Sequence, residues 1–322
     1  MLSDAHLNWR PSTDLSALRV RANLYGQIRQ FFACAEVLEV ETPILSRAAT
    51  PDPAIESLRT SVQGLGTLWL HTSPEFAMKR LLAAGSGPIY QICKVFRDGE
   101  RGALHHPEFS LLEWYRPGWS LEALMEEVAD LVRAVLGQSL PREIRTYRAL
   151  FQKNLGIDPF GASAESLAAC AHRQGIQDAE RLELDRDGWL DLLLSHCIAP
   201  NLGQDRLTFV RDYPPSQAAL ARIRPGTPPV AERFELYFRG MELANGFWEL
   251  TDAEEQRRRF QAELEKRRAA GRTTPPLDEA FLAALPAMPE ASGVALGLDR
   301  LLLCKLGCSH LDAVLAFPLS RA

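Results

Sequence analysis

Residues 89–117 read IYQICKVFRDGERGALHHPEFSLLEWYRP, and this stretch decides the fold. Ile89 to Arg97 is rich in β-branched and aromatic residues and is expected to be a strand; 108–116 is expected to be a second. The polar stretch 98–107 joins them, so the pair reads as a long-looped antiparallel hairpin. Side chains alternate across a strand, which puts Phe109, Leu111, Glu113 and Tyr115 on one face. That face offers an aromatic ring, a carboxylate and a phenol. Arg97 stands at the mouth of the loop, which adds Asp98, Glu100, Arg101, His105 and His106. A guanidinium beside a ring suits a nucleotide, because the fork grips phosphate and the ring stacks on a base. A carboxylate beside a phenol suits an ammonium group. The same residues would also fit an ordinary surface hairpin.

Upstream, Ser12-Thr13-Asp14 are N-cap types, and Leu18, Leu24, Tyr25, Ile28, Phe31 and Phe32 recur at helical spacing to about Ala33. Val37 to Thr42 reads as a strand stopped by Pro43. Leu58 to Gln63 and Thr67 to Thr72 read as a hairpin around Gly64-Leu65-Gly66, and Ser73-Pro74-Glu75 opens a helix. Downstream, 120–200 is expected to be mostly helical. Leu207 to Arg211, Glu232 to Phe238 and Met241 to Leu250 read as strands. The box Thr251-x-x-Glu254 opens a charged helix with Glu254/Arg258, Glu255/Arg259 and Glu263/Arg267 at i,i+4, most simply a solvated face. Gly293 to Gly297 is a strand and Leu298 to Leu306 a helix. Hairpins dominate over strand–helix alternation. The expected class is therefore α+β, an antiparallel sheet flanked by helices.

The chain has 322 residues, 46% hydrophobic and 24% charged, which excludes a disordered chain and leaves ample core. Length alone allows one domain or two. No apolar run is long enough to cross a bilayer, and Met1 to Arg10 lacks the start of a secretory signal. A net charge of -5 argues against a protein built mainly to hold nucleic acid. The six cysteines are scattered and form no disulfide framework, which fits a reducing cytoplasm. Cys34, Cys93, Cys304 and Cys308 read as packed thiols, and Cys304-x3-Cys308-x-His310 lacks the ligands of a zinc site.

Glu235, Glu242 and Glu249 are spaced seven apart. If Arg239-Gly240 is a two-residue turn, Tyr237 faces Glu242, with Glu235 diagonal on the same face. Two such carboxylates repel unless a cation joins them, and Mg²⁺ with nucleotide phosphates is the natural one. Glu249 would point to the opposite face unless Asn245-Gly246 forms a bulge that resets the alternation. Alternate glutamates on a solvated sheet face are the plainer reading. Gly293 and Gly297 allow close approach of a flat ligand, or simply tight packing of helix on sheet. Arg300 opens the helix that follows.

Arg97 with its loop and Phe109 resemble motif 2 of class II aminoacyl-tRNA synthetases. Gly297-Leu298-Asp299-Arg300 resembles motif 3, and Val40-Glu41-Thr42-Pro43 resembles the dimer-forming motif 1. Thr72-Ser73-Pro74-Glu75, His105-His106-Pro107-Glu108-Phe109 and the run Glu242 to Leu250 resemble lysyl-tRNA synthetase. With Leu112 to Pro117 and Phe209 to Pro214, the chain is most similar to the elongation factor P–(R)-β-lysine ligase family, a truncated paralogue.

The resemblance implies one catalytic domain over 1–322, with no anticodon-binding domain, in a cytoplasmic homodimer. It implies that Arg97 grips the α-phosphate of ATP while Phe109 and Arg300 sandwich adenine. Asp98, Gly99, Glu100, His105, His106, Leu243 and Gly297 would complete the ATP site, and Glu235 and Glu242 would hold Mg²⁺. Ser73, Pro74 and Glu75 would meet the amine at the reacting end. Glu113, Tyr115 and Glu249 would meet the side-chain ammonium, and Asn245, Phe247 and Ala295 would line the pocket. The implied reaction makes a lysyl or β-lysyl adenylate and passes the acyl group to a lysine of elongation factor P. Three departures stand out. The family's Arg-x-Glu is Arg97-Asp98-Gly99-Glu100 here, so Glu100 is the displaced counterpart. His106 stands where asparagine is common. Ala295 stands where glycine is usual, and one methyl is expected to favour the β-isomer. Charging of tRNA and a catalytically silent regulatory paralogue are the alternatives. The acidity, and the lack of room for a domain ahead of motif 1, favour a protein acceptor over tRNA.

Overall fold

The computed structural model describes residues 9–322. Most of the Met1–Arg10 start read above lies outside the described residues. Helix α1 (Leu15–Cys34) begins where Asp14 caps the Ala17 N–H, and it buries Ala17, Leu24, Ile28 and Phe32. Four short strands follow: β1 (Leu38–Glu39), β2 (Leu45–Ser46), β3 (Arg59–Val62) and β4 (Gly66–Leu70). Helix α2 (Glu75–Ala83) precedes the long hairpin β5 (Ile89–Phe96) and β6 (Glu108–Pro117). Then come α3 (Leu121–Leu136), β7 (Arg142–Thr146), α4 (Tyr147–Leu155), α5 (Ala164–Arg173) and α6 (Arg186–Leu193). Strands β8 (Leu207–Tyr213), β9 (Ile223–Arg224), β10 (Val230–Phe238) and β11 (Met241–Trp248) lead to α7 (Ala253–Ala269) and α8 (Glu279–Ala284). Strand β12 (Ala291–Gly297) and α9 (Leu298–Leu306) are the last long elements.

Among the described residues, nine strands form the main sheet in the order β1-β5-β6-β12-β11-β10-β8-β7, with β9 beside β10. Its interior pairs are antiparallel, while the end pairs β1·β5 and β7·β8 are parallel. The sheet is thus mixed, and the α+β class holds. Alternation gives it two unlike faces. Leu112, Trp114, Phe234, Leu236, Ala244, Val294 and Leu296 pack with α1, α3 and α9 into the principal core. The residues between them in sequence point the other way. These are Glu113 and Tyr115 on β6, Ala295 on β12, Asn245 and Phe247 on β11, and Arg233, Glu235 and Tyr237 on β10.

Asp299 holds the start of α9 in place. It accepts from the Ser110 N–H of β6 at 2.7 Å and from Arg21 of α1 at 2.5 Å, and it is buried. Buried charge persists where it is paired in this way.

The Arg239-Gly240 turn has two residues, both at positive φ, and Tyr237 faces Glu242 as expected. The extra residue lies elsewhere than expected. Leu236 faces Ala244 and Tyr237 faces Glu242, so Leu243 is the bulged residue. Asn245 and Gly246 pair regularly with Glu235 and Phe234. Gly246 serves packing instead: a Cβ there would lie 2.6 Å from the Phe234 ring.

Other departures have physical causes. The strand expected over Val37–Thr42 shrinks to two residues, because the chain leaves the sheet edge after Val40 donates to the Tyr90 carbonyl. Strand β7 lies within the stretch expected to be helical; it is a charged, largely exposed edge with no apolar alternation to betray it. Helix α7 is capped by Asp252, not Thr251. Arg258 and Arg259 both pair with Glu255. Arg267 is buried and bonded to Glu56 and the carbonyls of Asp52, Ile55 and Thr273, so this helix is not simply a solvated face. Cys304 is buried as expected, whereas Cys34 is exposed. No described helix is long and apolar enough to cross a membrane.

Gly246→Ala is expected to cost about 1–3 kcal/mol by overpacking against Phe234. Urea unfolding measures it, and an unchanged midpoint would contradict the close approach.

Candidate active site

The end of β5 and the start of β6 bring Arg97 and Phe109 together, with the guanidinium carbon 5.0 Å from the ring centroid. Arg97 also donates to the Thr72 carbonyl at 3.4 Å and lies 3.6 Å from Glu100. Arg300, on the first turn of α9, reaches both β11 and the loop between β5 and β6. It donates to the backbone carbonyl of Glu242 at 2.9 Å and of Leu104 at 3.3 Å, and lies 2.9 Å from His105 Nε2. Its guanidinium is 3.5 Å from the Glu242 carboxylate. Burial, then the charge of Arg300, holds the His105 imidazole below its ordinary range, which keeps it neutral and able to accept that bond.

The rest of the loop is ordered locally. The Asp98 carboxylate accepts from the Gly99 N–H, and Gly99 sits at φ 78, where glycine is favoured. Asp98 N–H in turn donates to the Glu56 carbonyl at 2.8 Å. His106 has both ring nitrogens engaged, by the Glu108 carbonyl and the Leu319 N–H. Leu243 buries its side chain and faces Gly297 only with its carbonyl. A Cβ on Gly297 would meet nothing closer than 3.9 Å, so this glycine does leave room for a flat group. Gly293 does not. A Cβ there would lie 2.3 Å from the Tyr115 ring and 2.4 Å from Glu249 Oε1, so side chains of the protein already fill its space.

Next to Arg97 opens a cavity of about 640 Å³ whose walls include Ser73, Pro74, Glu75, Glu113, Tyr115, Asn245, Phe247, Glu249 and Ala295. All nine residues expected around the amino acid are therefore brought together. Phe109, Glu242 and Arg300 do not line the cavity. Tyr115 donates to one Glu113 oxygen at 2.6 Å and Ser73 to the other at 2.7 Å. Glu249 meets Lys79 as an ion pair at 2.6 Å, but its Oε2 has no aligned hydrogen-bond donor. Burial, then the nearby Glu75, pushes the Glu113 carboxyl up to about 7. Burial also raises Glu249 to about 8, against the pull of Lys79. Buried carboxylates so short of positive charge make the cavity a trap for cations.

Two residues of the site went unread in the sequence. Lys79 is buried between Glu75 and Glu249, and its i,i+4 spacing from Glu75 was the available signal. Arg233 shares the face of Glu235 by strand alternation. It bonds Glu235, the Asn245 side chain at 3.2 Å and the Gln217 carbonyl at 2.9 Å. Glu235 is thus engaged on both oxygens, by Arg233 and by the Tyr237 hydroxyl. Burial and the adjacent Glu235 push Glu242 upward. Among the described residues no group of three or more His, Cys, Asp or Glu could hold a metal, so an ion here would need phosphate oxygens as ligands.

Glu113 and Glu249 bind protons more tightly folded than unfolded, so stability falls as pH rises towards about 7 for Glu113 and about 8 for Glu249. Urea unfolding of the ligand-free protein between pH 6 and pH 8 is expected to show that loss. Glu113→Gln/Glu249→Gln should flatten most of the slope; an equal slope would contradict the assignment.

The family model described as tRNA synthetases class II (D, K and N) matches residues 1–321. A protein of Erwinia tasmaniensis named elongation factor P–(R)-β-lysine ligase is 48% identical over 98% of both chains. Its namesake from Vibrio cholerae is 48% identical over 98% of this chain and 99% of its own, and that from Haemophilus influenzae is 46% identical over 98% of both. The chain belongs to the class II tRNA synthetase family of the D, K and N group, together with these elongation factor P–(R)-β-lysine ligases.

Proposed function

We propose that the protein activates lysine, (R)-β-lysine in preference, with ATP and ligates it to the ε-amine of a lysine on elongation factor P. The observation that carries this reading is the acid-lined cavity opening directly beside the Arg97–Phe109 pair. The names of the relatives support the substrate and the acceptor.

A carboxylate oxygen of the amino acid attacks the α-phosphorus of ATP. The bond to the bridging oxygen breaks and pyrophosphate leaves. Arg97 faces the charge that develops on the phosphoryl oxygens. Phe109 and Arg300 enclose adenine, with Gly297 giving the room, while His105 steadies Arg300. Asp98, Gly99 and Glu100 shape the loop over the nucleotide. The Leu243 contribution is a backbone carbonyl, and His106 acts through the loop it anchors. Glu75, with Ser73 and Pro74 beside it, takes the amine at the reacting end. Glu113, Tyr115 and Glu249 take the far ammonium, and Asn245, Phe247 and Ala295 set the length of the pocket. The neutral amine of the acceptor then attacks the acyl carbon, and AMP leaves with the carbon–oxygen electron pair.

Mg²⁺ fits hard oxygen donors on one face. Glu242 is the main candidate ligand, with Glu235 beside it, and the ion would neutralise phosphate charge when bound. Residues 1–322 are read as one catalytic domain. The exposed Leu38, Ile44 and Leu45 around motif 1 support a homodimer contact there. The cysteine pattern supports a cytoplasmic home.

ATP–pyrophosphate exchange with α- and β-lysine, followed by mass analysis of elongation factor P, tests the reading. Exchange with lysine and a mass gain on the factor are expected; charging of total tRNA instead would overturn the acceptor. Arg97→Ala is expected to lower exchange by roughly 10²-fold or more. Ala295→Gly is expected to weaken the preference for the β-isomer, and an unchanged ratio would contradict the role of that methyl.

A further inference from the structure

Lys79 is the least expected charge in the molecule. It sits on α2 with 1% of its side chain exposed. Its ammonium lies 2.6 Å from Glu75 and 2.6 Å from Glu249, and 5.9 Å from the centre of the Phe281 ring. It therefore bridges two neighbouring carboxylates in the wall of the cavity. The proposed function gives each of these carboxylates an ammonium of the substrate, yet leaves Lys79 without a part.

Charge supplies one. Glu75, Glu113 and Glu249 carry three negative charges when ionised, and Lys79 carries one positive charge. Two positive charges remain to be supplied. A diamino acid in its doubly protonated form supplies that number, its own carboxylate being directed to the phosphate side at Arg97. We propose that Lys79 is a positioning residue, a resident counter-charge that sets the cavity to accept a substrate with two ammonium groups. The inference rests on the reading above and extends it to the basis of selection.

Lys79 is the cation that acts on Glu249, whereas Arg233 in the same cavity wall is taken by Glu235. Facing Glu249 are Glu75 and Lys79 from α2, and Glu113 and Tyr115 from β6. Strand β12 presents Gly293, and the chain before β9 presents Ala221, neither charged. From α8, the Phe281 ring faces Lys79. Removing its charge leaves Glu249 buried without a cation, and such a carboxylate takes up a proton. A carboxyl that holds its proton more firmly is harder for an incoming ammonium to ionise. Substrates lacking the far amine leave a carboxylate unpaired and are refused for the same reason.

The test is the pH profile of kcat/KM for lysine in ATP–pyrophosphate exchange, from pH 6 to 9. Lys79→Met is expected to lose about tenfold or more at pH 7 and to recover part of it at pH 9, its acid limb moving up by about one unit. Lys79→Arg should keep the wild-type limb. Lys79→Met/Glu249→Gln has no carboxyl at 249 left to titrate, so it should lack the raised acid limb of Lys79→Met. A uniform loss across pH, or a double variant that keeps the raised acid limb of Lys79→Met, would overturn the inference. If Lys79→Met fails to fold, the double variant is compared with Glu249→Gln alone. Activity within about threefold is then expected, and a drop beyond about tenfold overturns the inference. Wild-type protein that exchanges with no lysine isomer would instead overturn the proposed function itself.

Discussion

Leu243 is one residue too many for its strand, and the arrangement of the cleft depends on it. Strand alternation would send Glu242 and Glu249 to opposite faces. The extra residue restores the phase, so that Glu242, Asn245, Phe247 and Glu249 share a face with Glu235 and Tyr237. A bulge is stable here because the opposite face is held so firmly. Phe234, Leu236, Ala244 and Leu296 are locked into a core shared with α1, α3 and α9. A slip of one residue would bury the glutamates in that core and expose the leucines, so register is strongly specified.

The polar face carries more negative charge than it can bury comfortably. Each carboxylate is met by a different device. Arg233 and the Tyr237 hydroxyl hold Glu235, Tyr115 and Ser73 hold Glu113, and Lys79 holds Glu249. Burial, then the neighbouring Glu75, pushes Glu113 up to about 7, and burial pushes Glu249 up to about 8 even beside Lys79. A cationic ligand relieves this strain where it is greatest. The cleft thus divides into a half built on arginines and a half built on acids, joined at Arg97.

Much of this was legible in the sequence, because hairpins announce themselves through alternation and turn residues. The β5–β6 hairpin, the Arg239-Gly240 turn and the start of α2 all lie where the residues put them. The glutamate series and the Arg97–Phe109 pair are likewise readable, since each needs only local geometry. Lys79 and Arg233 do not stand out in the sequence as site residues, and Arg267 reads there as part of a solvated face. Lys79 meets Glu249 and Arg267 meets Glu56, both far off in sequence, and a charged residue looks solvated until its surroundings are known. The Leu243 bulge escaped for a different reason. An Asn-Gly pair advertises a turn or bulge, whereas here Gly246 only makes room for a phenylalanine ring.

The central claim is that a buried, proton-laden acid pocket selects an ammonium-bearing amino acid. Calorimetric titration of the protein with (R)-β-lysine in two buffers of different ionisation enthalpy measures it directly. Binding should release protons at pH 7, as the incoming ammonium groups ionise Glu113 and Glu249, and the release should fade towards pH 9. Binding with no proton release at pH 7, or with proton uptake, would contradict the account.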